Sequence, residues 1–309
     1  MTILICLPES MGPNILRKSL LSLDPNLKIK IGSELVNKPK EVEFAVVWGH
    51  RDGFLLNYPN LKSILSYGHG VDYLLADKKL PIGVPIVRIK SETMADFMNE
   101  YLLTVLLLHR RQFLQHANNP NEFEWGISSR LNINSLSILG LGFLGKSAAN
   151  YFLRMGFEVS GWSRTEKKLK DIKCYTGKKG LIKMLGHTDF LINLLPLTIE
   201  TQSLLNSSIL SKLKRGAYFI NVGRGKTLEE EDLIPLIDNG QLSGACLDVF
   251  RTEPLPKQHP FWRHKKILIT PHNSSTTPHD SVAPQIIENY RRAIRGEKLL
   301  NLVDIERGY

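Results

Sequence analysis

No apolar run in this sequence approaches the roughly twenty residues that a membrane-spanning helix needs. Cysteine is scarce: Cys6, Cys174 and Cys246 are three in 309 residues, odd in number and widely scattered. That spacing offers neither a disulfide framework nor a metal-binding set, so reduced thiols in a cytoplasmic protein are expected, and no metal. Internal repeats and low-complexity tracts are also missing. The opening, MTILICLPES, has no basic stretch before its apolar run and no small-residue cleavage site, and it reads as a first β-strand. An apolar share of 42% and a charged share of 23% are those of an ordinary globular chain. The formal net charge of +10 would suit nucleic acid, yet the lysines and arginines are spread along the chain, mixed with acids and unaccompanied by a nucleic-acid motif. We therefore expect a basic solvated surface, part of it serving anionic small molecules, with no nucleic-acid or membrane partner.

What the chain does have is LSILGLGFLGKSAANYFLRMGFEVSGWSR, from Leu136 to Arg164. A short apolar run ending in Ile138 and Leu139 reads as a buried parallel strand. Gly140, Gly142 and Gly145 follow in G-x-G-x-x-G spacing, then a helical segment with small residues Ser147, Ala148 and Ala149, then a second strand, Glu158 to Trp162. The first glycine permits a tight turn, the second lets backbone approach a pyrophosphate, and the third lets helix and strand pack closely. The helix N-terminus adds unpaired N–H groups and the positive end of its dipole. Taken alone the glycines are a weak signal, but in this βαβ setting they point to a dinucleotide.

Around this unit the chain alternates strands and helices, the pattern of parallel α/β sheets. Before it come strands in ILICLP, KIKIG, FAVVWG, SILSYG and PIVRI, with a helix over Asn14–Leu23. A long helix from Met94 to about His116 follows, then a polar loop containing Asn118, Asn119, Pro120 and Asn121. After it come strands in DFLINLLP, AYFINVGRG, ACLDVF and ILITPH, with helices expected from about Glu200 to Leu213 and from Glu230 to Ile237. Pro235 inside the latter costs roughly 3 kcal/mol away from the first turn, so that helix should be short or kinked. An amphipathic helix over Asp280–Arg295 and a polar tail close the chain. The layout implies an α/β fold in which a doubly wound, parallel-sheet dinucleotide-binding domain, residues 97–278, is inserted into a smaller one. Residues 1–96 form the first part of that smaller domain, and 279–309 return to it.

In such sheets chemistry gathers at the carboxyl ends of strands. Three residues stand there in the nucleotide segment: Arg224 in NVGRG, Glu253 in DVFRTEP and His272 in ITPHN. Each has a plain structural explanation as well. Arg224 could cap a helix, Glu253 could open a turn, and a histidine after a strand is more often a satisfied core residue. Their common position, after strands of one nucleotide domain, is what favours chemistry.

The chain resembles the D-isomer-specific 2-hydroxyacid dehydrogenases, and within them the branch that reduces glyoxylate and hydroxypyruvate. YGHGVD (Tyr67–Asp72), GLGFLG (Gly140–Gly145), GWSRT (Gly161–Thr165), INLLPLTIET (Ile192–Thr201), INVGRG (Ile220–Gly225), LDVFRTEPLP (Leu247–Pro256), ITPH (Ile269–His272) and the terminal Gly308-Tyr309 carry the resemblance, in order, over essentially the whole chain. It implies two Rossmann-like domains, the smaller one flavodoxin-like and substrate-binding, and a homodimer. It also implies a catalytic set of Arg224, Glu253 and His272, with His272 giving a proton to a 2-keto acid, Glu253 orienting its imidazole and Arg224 gripping the carboxylate. Implied cofactor contacts are Gly140, Gly142, Phe143, Leu144, Gly145, Ser163, Arg164, Lys167, Pro196, Thr201, Val222 and Asp248, the last as acceptor for the nicotinamide carboxamide. Implied substrate contacts are Trp48, His69 and Gly70 beside Arg224; core packing accounts for Trp48 equally well. His69, Gly223 and Asn273 depart from the residues many relatives carry, which bears on substrate detail.

The residues after the second strand speak to the cofactor. NAD enzymes of this fold place an Asp or Glu there to hold the ribose 2′-hydroxyl. This chain has Ser163-Arg164-Thr165, with Lys167 and Lys168 beyond, which favours NADPH over NADH. The expected activity is NADPH-dependent reduction of small 2-keto acids such as glyoxylate and hydroxypyruvate to D-2-hydroxy acids. A different function on the same fold is a dinucleotide-sensing corepressor, against which Ser163-Arg164 stands. Formate dehydrogenases, a third relative, would have glutamine where Glu253 stands.

Overall fold

The computed structural model describes residues 2–32, 37–113 and 131–309. The asparagine-rich loop expected at 118–121 lies outside these residues. The chain divides into two units, Met1–Met94 with Thr277–Tyr309, and Ala95–Thr276.

The first unit is built on a five-stranded parallel sheet of order β2-β1-β3-β4-β5. Its strands are β1 (Thr2–Cys6), β2 (Ile29–Ile31), β3 (Val42–Val47), β4 (Ser63–Ser66) and β5 (Ile86–Arg88). Parallel strands are covered on both faces, so they read as continuous apolar runs: every residue of β1 is buried. On one face α1 (Pro13–Leu23) packs with the last helix of the chain, α8 (His279–Arg295), around Leu16, Leu20, Phe44, Ile286 and Ile287. The other face buries Leu4, Ala45, Phe54, Tyr58, Ile64 and Leu74, the last from the one-turn helix α2 (Asp72–Leu75). The α8 helix holds its apolar residues on one stripe, Val282, Ala283, Ile286, Ile287 and Ala293, and ends at Gly296, whose φ of +70° is a left-handed cap that suits glycine.

Helix α3 (Glu92–Arg110) runs from the first unit into the second. It ends at Arg110, with Gln112 beyond it at a positive φ of +54°; the expected end near His116 lies outside the described residues. The second unit carries a seven-stranded parallel sheet, β12-β11-β10-β9-β6-β7-β8. These strands are β6 (Ser135–Leu139), β7 (Glu158–Trp162), β8 (Lys173–Tyr175), β9 (Phe190–Asn193), β10 (Ala217–Asn221), β11 (Leu242–Leu247) and β12 (Ile267–Ile269). The order reverses between β6 and β9, which creates the crevice where doubly wound sheets take their ligands. The helices are α4 (Phe143–Arg154), α5 (Gly177–Leu185), α6 (Ser207–Leu210) and α7 (Glu230–Asp238).

Three elements of the second unit depart from the sequence expectation. The helix expected from Glu200 to Leu213 is only the four-residue α6. Upstream, the Thr201 hydroxyl closes a turn by donating to the Pro196 carbonyl at 2.7 Å and accepting the Thr198 N–H at 2.8 Å. Short hydroxyl side chains bond nearby backbone and so compete with helix; Ser203 then turns left-handed at φ +52°, and Asn206 caps the one turn that forms. The strand β8 and helix α5 were not expected: β8 is three residues with a lysine, and α5 holds Gly177 and Gly180, both weak signals. Helix α7 is short, nine residues with Pro235 inside.

Candidate active site

The glycine-rich turn is shaped by contact. Gly140 has a φ of +97°, and a Cβ on it would lie 2.8 Å from the Leu194 carbonyl oxygen. A Cβ on Gly145 would sit 1.8 Å from the Gly140 carbonyl oxygen, so α4 meets the end of β6 backbone to backbone. Gly142 is different, since nothing lies within 4 Å of where its Cβ would be. Gly142 is also the N-cap of α4, with no side-chain cap and no acid in the first turn. An open, uncapped, positive helix end beside a glycine with free space is what a pyrophosphate requires, and these residues fit a dinucleotide. Phe143 and Leu144 form the first positions of that helix, both half-buried.

Beyond β7, Ser163 is buried and its hydroxyl donates to the Thr165 carbonyl at 2.7 Å. Arg164 and Lys167 are exposed, and Arg164 lies 3.5 Å from the Glu200 carboxylate. Pro196 and Thr201 belong to the turn after β9, where the Thr201 hydroxyl is spent on the backbone. Val222, buried, directly follows β10.

The rim at β10, β11 and β12 brings the three expected groups onto one sheet edge. Nδ1–H of His272 donates to Oε2 of Glu253 at 2.7 Å, while Oε1 of Glu253 accepts the Phe250 N–H at 2.9 Å. Burial pushes the Glu253 carboxyl up, but the His272 hydrogen bond, the Phe250 N–H and the nearby charges of His272 and Arg224 outweigh it. The group is held below the ordinary carboxylate range. An ionised Glu253 fixes the imidazole tautomer and leaves Nε2 as the outward nitrogen. Arg224, half-buried, donates through one guanidinium nitrogen to the Gly223 carbonyl at 2.8 Å. Gly223 itself explains why no alanine or valine stands there: a Cβ would come within 2.8 Å of the Leu195 carbonyl oxygen.

His272 has a φ of +51°, a left-handed conformation that costs a non-glycine residue on the order of 1–2 kcal/mol. Asp248 holds it there. Its backbone carbonyl accepts the His272 N–H at 2.9 Å, and its carboxylate accepts the N–H groups of Asn273 and Ser274, both at 2.9 Å. The same carboxylate takes the Thr270 hydroxyl at 2.6 Å, and Thr270 contacts the Tyr101 hydroxyl at 2.6 Å. Asp248 is fully buried, so the carboxamide role drawn from the resemblance would have to share a carboxylate already accepting three hydrogen bonds. Sequence reading missed this anchoring, and also the support under Arg224. The Asn193 side chain donates to Asn221 at 2.9 Å and to Thr227 at 2.8 Å, and the Thr227 hydroxyl donates to the Arg224 carbonyl at 2.6 Å. A signal was available, since both asparagines end otherwise apolar strands.

In the first unit, Trp48 follows β3. Its ring lies 4.5 Å from that of Tyr73, and its edge would be only 2.5 Å from a Cβ on Gly68. Trp48, partly buried, therefore packs against the core of this unit. Nδ1 of His69 is 3.3 Å from the Ile89 carbonyl, Arg88 donates to the His69 carbonyl at 3.4 Å, and the Gly70 carbonyl accepts the Ser66 hydroxyl at 2.9 Å. These bonds hold the loop after β4 in place. All three cysteines are free thiols, and burial pushes Cys6 up to about 11 and Cys246 up to about 12. Among the described residues no cluster of His, Cys, Asp and Glu could hold a metal ion, and no helix is long and apolar enough to cross a membrane.

The family model for the NAD binding domain of D-isomer specific 2-hydroxyacid dehydrogenases matches residues 103–274. The glyoxylate/hydroxypyruvate reductase A of Serratia proteamaculans is 37% identical over 277 residues, 87% of this chain and 88% of that protein. Its counterpart in Photorhabdus laumondii is 36% identical over 292 residues, 92% and 93% of the two chains. Among solved structures, a D-isomer specific 2-hydroxyacid dehydrogenase from Xanthobacter autotrophicus Py2, in complex with NADPH and MES, superposes with a TM-score of 0.95 at 37% identity, covering 100% of this chain and 99% of that one. An NADPH-dependent glyoxylate/hydroxypyruvate reductase from Sinorhizobium meliloti, in complex with NADP and sulfate, gives 0.92 at 32% identity, with 100% of both chains covered.

Proposed function

The chain belongs to the D-isomer-specific 2-hydroxyacid dehydrogenase family, and from that premise we propose an NADPH-dependent reductase that converts small 2-keto acids, glyoxylate and hydroxypyruvate foremost, to D-2-hydroxy acids. The observation that carries the reading is the 2.7 Å hydrogen bond between His272 and an ionised Glu253 on the strand-end rim.

Reducing a 2-keto acid requires a hydride at the carbonyl carbon and a proton at its oxygen. The bound nicotinamide supplies the hydride. His272 supplies the proton from Nε2, the nitrogen that Glu253 leaves outward by holding Nδ1–H. Arg224 holds the substrate carboxylate and polarises the carbonyl, a task for a planar, two-pronged cation. Residues 97–278 take the dinucleotide: Gly140, Gly142, Phe143, Leu144 and Gly145 at the pyrophosphate, Ser163, Arg164 and Lys167 at the 2′-phosphate, with Pro196, Thr201, Val222 and Asp248 as further contacts. Residues 1–96, completed by 279–309, form the substrate domain, in which Trp48 and the backbone N–H groups of His69 and Gly70 bind the keto acid. The family reading gives a homodimer and the three scattered thiols a place in the cytoplasm, which sedimentation and fractionation would test.

The direct test is cofactor oxidation by the purified protein over a panel of 2-keto acids, with NADPH and NADH compared. Turnover of glyoxylate or hydroxypyruvate with NADPH preferred is the expected result. Cofactor binding without turnover of any 2-keto acid would replace the enzyme with a dinucleotide-sensing binding protein.

A further inference from the structure

Arg164 and Glu200 meet from the two loops that flank the glycine-rich turn. Arg164 follows β7 and Glu200 follows β9, and β6 lies between those strands in the sheet. The guanidinium and the carboxylate are 3.5 Å apart, with side-chain exposures of 37% and 67%. Glu200 stands on a stiff turn. The Thr201 N–H donates to the Thr198 carbonyl at 3.2 Å, and the Thr201 hydroxyl ties that turn to Pro196. The Thr198 hydroxyl donates to Oε2 of Glu200 at 3.0 Å, the same oxygen that faces Arg164. On the other side the Ser163 N–H donates to the Tyr175 carbonyl at 3.1 Å, and the Ser163 hydroxyl to Thr165, which hold the start of the loop. Glu200 is therefore aimed at Arg164 by its own loop and does not merely drift near it.

We propose that Glu200 is a cofactor-specificity residue, whose carboxylate competes with the 2′-phosphate of NADPH for the Arg164 guanidinium. The proposal rests on the reading of Arg164 as the 2′-phosphate partner. Carboxylate and phosphate oxygens use the same guanidinium N–H groups, so each group that engages Arg164 displaces the other. The phosphate carries the larger charge and wins, but NADPH must first break an ion pair and then remain beside a repelled carboxylate. NADH has only a neutral 2′-hydroxyl there and meets no such opposition. Glu200 therefore lowers the selectivity that Arg164 would otherwise produce. Exposed ion pairs are weak, which sets the size of the effect at about two- to fivefold.

Calorimetric titration of adenosine 2′,5′-bisphosphate and AMP, then of NADPH and NADH, into the parent, Glu200→Gln, Arg164→Ala and the double variant tests this without turnover. Glutamine keeps an oxygen for the Thr198 hydroxyl, so the turn is retained. Glu200→Gln should bind the bisphosphate and NADPH about two- to fivefold more tightly and leave AMP and NADH unchanged, and the gain should vanish in the Arg164→Ala background. An unchanged bisphosphate affinity, an equal gain for AMP, or a gain that survives Arg164→Ala overturns the proposal. If the parent binds the bisphosphate no better than AMP, the reading of Arg164 fails and takes the proposal with it. If Arg164→Ala erases a real preference while Glu200→Gln behaves as the parent, only the proposal falls.

Discussion

His272 sits in a left-handed backbone conformation that the peptide would not choose unaided, and the bonds around it show what compensates. Three successive N–H groups, those of His272, Asn273 and Ser274, all end on Asp248. Side chains prepared in this way lose much when replaced. His272→Asn should lower kcat by at least the roughly hundredfold expected of a lost general acid while NADPH affinity stays within about twofold; a variant with most of its single-turnover rate intact would remove His272 from the chemistry. Glu253 acts through the ring. Its carboxyl is held below the ordinary carboxylate range and accepts the Nδ1–H, which sets the tautomer that leaves Nε2 outward. Glu253→Gln replaces that carboxylate by an amide that can present the wrong group to the ring, so kcat should fall sharply while NADPH affinity is kept. A kcat equal to the parent's would leave Glu253 a turn residue. Arg224 rests on a buried polar net of Asn193, Asn221 and Thr227, which fixes its backbone and leaves its guanidinium a defined direction. Arg224→Lys should raise KM for keto acids and lower kcat together, since a point charge cannot match a two-pronged carboxylate contact. Parent-like values of both would mean that the arginine serves the fold alone.

Helix α3 shows how an element's interior can govern pH stability. In its last turn His109 stacks on Tyr218 at 4.0 Å and contacts the Ser243 hydroxyl at 3.2 Å. Burial pushes its imidazole down from 6.5 to about 4. The folded state therefore keeps the ring neutral where the unfolded chain would protonate it. Stability from this group is complete above about pH 6.5 and drains away as pH falls toward 4, by roughly 3 kcal/mol at most. His109→Phe keeps the stack and removes the proton. Urea unfolding between pH 7 and 4.5 should lose less stability in that variant than in the parent; parallel curves would deny His109 the effect. The failed helix after Glu200 teaches the complementary lesson. Its apolar residues, Leu204, Leu205, Ile209, Leu210 and Leu213, keep a helical spacing, and all pack against the core, yet only four residues are helical. The Thr201 hydroxyl is spent on a turn, donating to the Pro196 carbonyl and accepting the Thr198 N–H, a choice that periodicity cannot register.

At the scale of the whole chain, ligand binding and stability are linked, because a group that binds only the folded state stabilises it by mass action. NADPH at a hundred times its Kd should add about 2.7 kcal/mol to the unit that holds it. Differential scanning calorimetry with equal concentrations of NADPH and NADH should then show the larger upward shift with NADPH, in the transition of the Ala95–Thr276 unit. Equal shifts would contradict the cofactor preference assigned to Ser163 and Arg164.

The amino-acid sequence alone determined every strand but β8, because parallel strands buried on both faces must be apolar runs, and those runs stand out: ILIC, FLIN and AYFIN are nearly the strands themselves. It determined the glycine-rich turn, where spacing and backbone demand coincide, and the three rim residues, because strand ends in a doubly wound sheet share one edge. What only tertiary structure decided is how distant residues are spent. Asp248, which the sequence places only at a strand end, anchors the loop of His272, and Glu200, expected in a helix, faces Arg164 from a turn. Nothing local links Gly223 to Leu195 or Asp248 to Ser274, since hydrogen bonds and close approaches between different strand-end loops exist only once the sheet has set their order.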